Sequence, residues 1–64
     1  MEKFGDYKFE VRSWIGKGEV IFWYYNIFDD DEKVLRQSKE RFQYEGIARF
    51  AAIGHISLLE QGKG

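Results

Sequence analysis

The stretch Glu19–Phe28, EVIFWYYNIF, constrains this chain more than any other. β-Branched and aromatic residues dominate it, and they favour a pleated strand. Both alternating sets are apolar, with Val20, Phe22, Tyr24 and Phe28 on one side and Ile21, Trp23, Tyr25 and Ile27 on the other. A strand apolar on both faces belongs at the centre of a sheet. Its neighbours follow from the flanking pattern. Tyr7–Ile15 alternates, with Tyr7, Phe9, Val11 and Ile15 opposed by Lys8, Glu10 and Arg12, as in a half-buried strand. Gly16-Lys17-Gly18 between the two runs reads as a hairpin turn. After the acidic turn Asp29-Asp30-Asp31-Glu32, the mostly polar run Lys33–Ser38 suits an edge strand.

The period then changes. Ile47, Phe50, Ala51, Gly54 and Leu58 recur at three and four residues, as one stripe of an amphipathic helix over about 44–61, and Ala48, Ala52, His55 and Leu59 form an adjacent stripe. Gly62 supplies a stop, whereas Gln43 and Tyr44 are poor caps. Gly46 and Gly54 each cost a helix about 1 kcal/mol relative to Ala, a cost that close approach of the helix to the sheet would explain. The expected fold is α+β: a three-stranded antiparallel meander with strands at 7–15, 19–28 and 33–38, and one C-terminal helix packed on one face. All 64 residues fit one domain.

One helix covers one face of such a sheet, so the register of the first hairpin decides which aromatic set is left open. A two- or four-residue loop pairs Ile15 with Val20, whereas a three-residue loop pairs Ile15 with Glu19 and exchanges the faces. The first register sets Arg12 opposite Trp23, a cation–π geometry, and Trp14 beside Ile21. It leaves Trp14, Trp23, Tyr25 and Ile27 uncovered beside Arg12, and these five residues are the expected interaction surface.

The composition narrows the chemistry. The chain has no cysteine and one histidine, so neither a disulfide, a thiolate metal site nor a cysteine nucleophile is available. The Asp29–Glu32 run lacks the alternation of a calcium loop and reads as a solvated turn; Gly16-Lys17-Gly18 lacks the spacing of a phosphate loop. His55 has no evident orienting carboxylate or nucleophile, and Ser13, Ser38 and Ser57 lie in no nucleophile motif. No catalytic residue, metal or cofactor is expected, and the chain reads as a non-enzyme. No run approaches the ~20 apolar residues of a membrane span, and the first residues lack a signal-peptide pattern, so the expected location is the cytoplasm.

Net charge is −1, unevenly spread. Residues 1–32 sum to −4 and residues 33–49 to +3. The expected function is a small protein-interaction module, self-associating as a homodimer, in the manner of a regulatory or host-interfering factor of a phage or bacterium. The alternative is nucleic acid, with bases stacked on sheet aromatics and phosphates held by Lys33, Arg36, Lys39 and Arg41. That alternative requires the basic segment to border the aromatic face.

The segments Trp23-Tyr24-Tyr25-Asn26-Ile27, Lys33-Val34-Leu35-Arg36-Gln37-Ser38, then Phe42 and Gly46-Ile47-Ala48, resemble the YegP-like family of small bacterial proteins. The resemblance covers about half of the chain. It implies a β-β-β-α unit that pairs with a copy of itself.

Overall fold

The computed structural model describes residues 1–63. Four antiparallel strands, β1 (Glu2–Phe4), β2 (Tyr7–Ile15), β3 (Ile21–Phe28) and β4 (Val34–Gln37), lie in sequential order in one sheet. A single helix, α1 (Glu45–Glu60), packs on it. The fold is α+β, with one strand more than the sequence pattern indicates. β1 escapes that pattern because it is three residues long and contributes one apolar side chain, Phe4, paired with Tyr7 across the Gly5-Asp6 turn.

The first hairpin decides the faces. Its connection runs over five residues, 16–20, and holds one 3-10 turn at Lys17–Glu19, with Gly18 and Glu19 at φ of 79° and 60°. Gly16 N–H donates to Val20 O at 2.9 Å, which keeps Val20 out of the ladder. The strand expected from Glu19 therefore starts at Ile21, and Ile15 pairs with Ile21. Arg12 faces Tyr24 rather than Trp23, and Trp14 faces Phe22 rather than Ile21. A one-residue slip exchanges the faces of a whole strand. Trp23, Tyr25 and Ile27 thus share the helix side of the sheet with Phe9 and Val11.

The core forms there. Phe9, Tyr25, Ile27, Ala52 and Ile56 are buried together, with Phe4, Val11, Phe42 and Leu59 packed around them. On the helix, the buried row is Ala48, Ala52 and Ile56, spaced at i, i+4 and i+8. Small residues let the helix sit close on the β3 side chains, because no bulk separates its backbone from the aromatics. Close approach belongs to those alanines and not to Gly46 or Gly54, where an added Cβ would meet nothing within 4 Å. The helix begins after Tyr44 without a side-chain cap and ends at Gly62, φ 79°, with Lys63 N–H donating to Leu58 O at 2.8 Å.

The far edge of β3 is paired twice. Ser38 N–H donates to Tyr25 O at 3.0 Å, and Phe42 exchanges both main-chain bonds with Trp23, at 2.8 and 2.9 Å. Residues 39–41 loop out between these two anchor points. The acidic turn is closed by Asp29, whose carboxylate accepts from the N–H groups of Asp31 and Lys33, each at 2.9 Å.

Candidate functional site

Three surfaces are left exposed, one on α1, one between α1 and the return segment 36–42, and one on the sheet side away from the helix. The first is the outward face of the helix. Ile47, Phe50, Gly54 and Leu58 are exposed, Phe50 to 78%. These are residues that the periodicity assigns to the core stripe, and the structure turns them to solvent instead. The apolar arc of the helix is wider than the strip of sheet beneath it, and the alanine row wins the buried side because it allows the closer approach. A surface helix normally carries its charges outward. Here the charged residues Glu45, Arg49 and Glu60 all lie on the flank toward β1. Arg49 pairs with Glu2 and, at 3.2 Å, with Glu45, and Glu60 Oε1 accepts from Asp6 N–H at 2.9 Å. The outward face is left without a charge.

The second surface is a cleft of about 630 Å³ between α1 and the return segment, lined on the helix side by Ala51, Gly54, His55 and Leu58 and opposite by Arg36, Lys39 and Phe42. At its base the Tyr25 hydroxyl and His55 Nδ1 are hydrogen-bonded at 2.8 Å. Burial raises the Tyr25 pKa above 10.0, and the nearby Glu40 carboxylate raises it further. Tyr25 also stacks on Phe42, with ring centroids 6.2 Å apart. The pair is a polar seam in an otherwise apolar sheet–helix contact. No sequence signal links residues 30 positions apart, and only the packing of α1 on β3 joins them.

The third surface is the open face of the sheet. Arg12, Trp14, Phe22 and Tyr24 lie on it by register, while Asn26 on the same side is buried and donates to Glu10 Oε1 at 3.3 Å. Arg41, carried round the edge by the looped segment, stacks its guanidinium 4.6 Å from the Trp14 ring and 5.7 Å from Phe22. A groove of about 400 Å³ runs beside them, lined also by Tyr24, Lys39 and Glu40.

The expected interaction surface therefore divides. Arg12 and Trp14 are exposed on the open face, whereas Tyr25 is 7% exposed and Ile27 fully buried beneath the helix, with Trp23 half-buried on that same side. The correction follows from the five-residue hairpin connection. The cation–π contact involves Arg41 and Trp14 rather than Arg12 and Trp23. The expected phosphate ligands divide too. Arg41 lines the open-face groove, Lys39 lines both that groove and the helix-side cleft, Arg36 lines the cleft, and Lys33 closes the acidic turn through its main-chain N–H.

Among the described residues no cluster of three or more His, Asp or Glu could hold a metal ion, and no helix is long and apolar enough to cross a membrane. No family model, curated protein or solved structure matches the chain.

Proposed function

We propose that this chain is a non-catalytic, self-associating interaction module of the cytoplasm, with α1 as its binding element. The observation that carries this reading is the uncharged outward face of Ile47, Phe50, Gly54 and Leu58, all exposed. A domain of this size buries only about 60% of its unfolded surface and gains from shared burial. An uncharged patch is also self-complementary, because two-fold pairing sets it against itself without like-charge repulsion. Pairing through sheet edges is less favoured, since β1 has three residues and β4 four. The engagement of His55 by a phenol, rather than by an orienting carboxylate, agrees with a binding role. The YegP-like resemblance implies the same pairing of copies.

Light scattering over a wide concentration range, at low and high salt, tests this. The expected result is a salt-insensitive dimer that Phe50→Glu converts to a folded monomer. A monomer at every concentration overturns the reading.

One observation favours a second reading, single-stranded nucleic acid on the open sheet face. Arg41 stacked on Trp14 places a cation beside exposed aromatics, as stacking platforms require. Titration with oligothymidylate should then quench tryptophan fluorescence, with an affinity that falls as salt rises. Absence of quenching at low salt removes this reading.

A further inference from the structure

The cleft between α1 and the return segment has the size and the lining of a small-molecule site. Gly54, a weak helix former, sits in the middle of α1, where an added Cβ would meet nothing within 4 Å. Packing within the chain therefore does not call for a glycine there. Gly54 lines the cleft, and its missing side chain leaves a notch in the helix wall of a space of about 630 Å³. That volume lies within the ordinary range of small-molecule sites.

The lining divides by chemistry. Phe42, Ala51 and Leu58 supply apolar surface beside the notch, whereas Arg36, Ser38, Lys39 and His55 supply N–H and O–H donors. Arg36 is brought to this side of the sheet by its pairing with Ile27, which is buried beneath the helix. Ser38 Oγ accepts from Tyr25 N–H at 3.2 Å and keeps its own proton to donate. With the Tyr25 hydroxyl donating to His55 Nδ1, the neutral ring carries its proton on Nε2 as a further donor. Among the described residues of the lining, Glu40 is the one carboxylate against two cations. A donor-rich wall with a surplus of positive charge suits an acceptor-rich anion, and a guanidinium pairs best with a planar carboxylate.

We infer that this cleft binds a small aromatic carboxylate, with the ring at the Gly54 notch and the carboxylate at Arg36 and Lys39. The site lies within one chain, so it goes beyond self-association and does not depend on it.

Three indoles of similar shape test the site: anionic indoleacetate, neutral tryptophol and cationic tryptamine. Titrated into the isotope-labelled chain, indoleacetate should shift the amides of Ser38, Lys39, Gly54 and His55 saturably, with a Kd of about 1 mM or below. Tryptamine should bind about tenfold more weakly or worse, because it meets the same cations with the wrong charge. Arg36→Gln and Lys39→Gln should each weaken indoleacetate by about threefold to tenfold and leave tryptophol unchanged. Arg12→Gln, on the open face of the sheet, should change nothing. Gly54→Leu should abolish binding of indoleacetate and tryptophol with helix content unchanged by circular dichroism, since it fills the notch without touching the fold. The site is overturned if indoleacetate shifts no amide at about ten times that Kd. It is equally overturned if tryptamine binds as well, or if the shifts fall around Phe50 or on the open sheet face instead. A chain that scatters as a monomer yet shows saturable shifts in the cleft overturns self-association and leaves this site standing.

Discussion

Tyr25 and His55 join the central strand to the helix through a hydrogen bond of 2.8 Å, with their rings edge to face at 5.8 Å. Tyr25 is buried with Ile27, and its hydroxyl, at the base of the cleft, makes a part-buried bond worth about 0.5–1.5 kcal/mol.

The sign of the pH dependence follows from that burial. The folded pKa of Tyr25 is raised above 10.0 by desolvation and then by Glu40. The neutral phenol therefore contributes stability that is complete below pH 10.0 and is lost as pH climbs through the raised value. Urea unfolding followed from neutral to strongly alkaline pH should show this fall. Tyr25→Phe should lower stability at neutral pH by about 1 kcal/mol and flatten the alkaline decline. An unchanged alkaline slope in that variant would assign the decline to other groups.

Two helix positions, two residues apart, should respond with opposite sign. Ala52 is fully buried against the sheet, so Ala52→Leu overpacks the interface and should cost about 1–3 kcal/mol. Gly54 faces open space in the single chain, so Gly54→Ala should stabilise the fold by up to about 1 kcal/mol. Thermal unfolding in the Phe50→Glu background isolates the monomer from any change in association. A destabilising Gly54→Ala there would show that the notch is already filled within one chain.

Gly5 should be sensitive for a geometric reason. It holds φ at 59°, and a Cβ there would collide with the Glu60 carboxylate that accepts from Asp6 N–H. Gly5→Ala should cost about 1–3 kcal/mol and loosen β1 from the helix end. Amide exchange at Asp6 reads the second effect directly, and unchanged protection there would contradict it.

Arg41 tethers the looped segment to the open face. Arg41→Ala should cost about 0.5–1 kcal/mol, the usual worth of an exposed cation–π contact, and should shift the emission of Trp14. The Trp14→Phe variant gives the reference spectrum; a shift in Arg41→Ala that persists in that background would belong to Trp23 instead.

Much of the fold was legible in the chain. The alternation of Tyr7–Ile15, the doubly apolar run Glu19–Phe28 and the later three-and-four spacing each name a local backbone geometry; β2 and α1 follow them closely, and β3 starts two residues later, at Ile21. Gly62 ended the helix where its left-handed φ permits. Which apolar side chains stay exposed was less legible, because two apolar sets compete for one helix and the pattern alone ranks neither. The row Ala48, Ala52, Ile56 was the available signal, since small side chains at i and i+4 mark a close approach rather than a surface.

What the sequence determined by itself was the kind and order of β2, β3, β4 and α1, because hydrophobic period and turn chemistry act over a few residues; the three-residue β1 lay below that signal. Which face of β3 met the helix, and which stripe of the helix met water, was decided only in the tertiary structure. A five-residue hairpin connection shifted the register by one and turned Tyr25 and Ile27 inward. The sheet then had room for one helix stripe, and the alanine row took it. Both outcomes depend on contacts between residues far apart in the chain, where one residue of slip reverses every side chain at once.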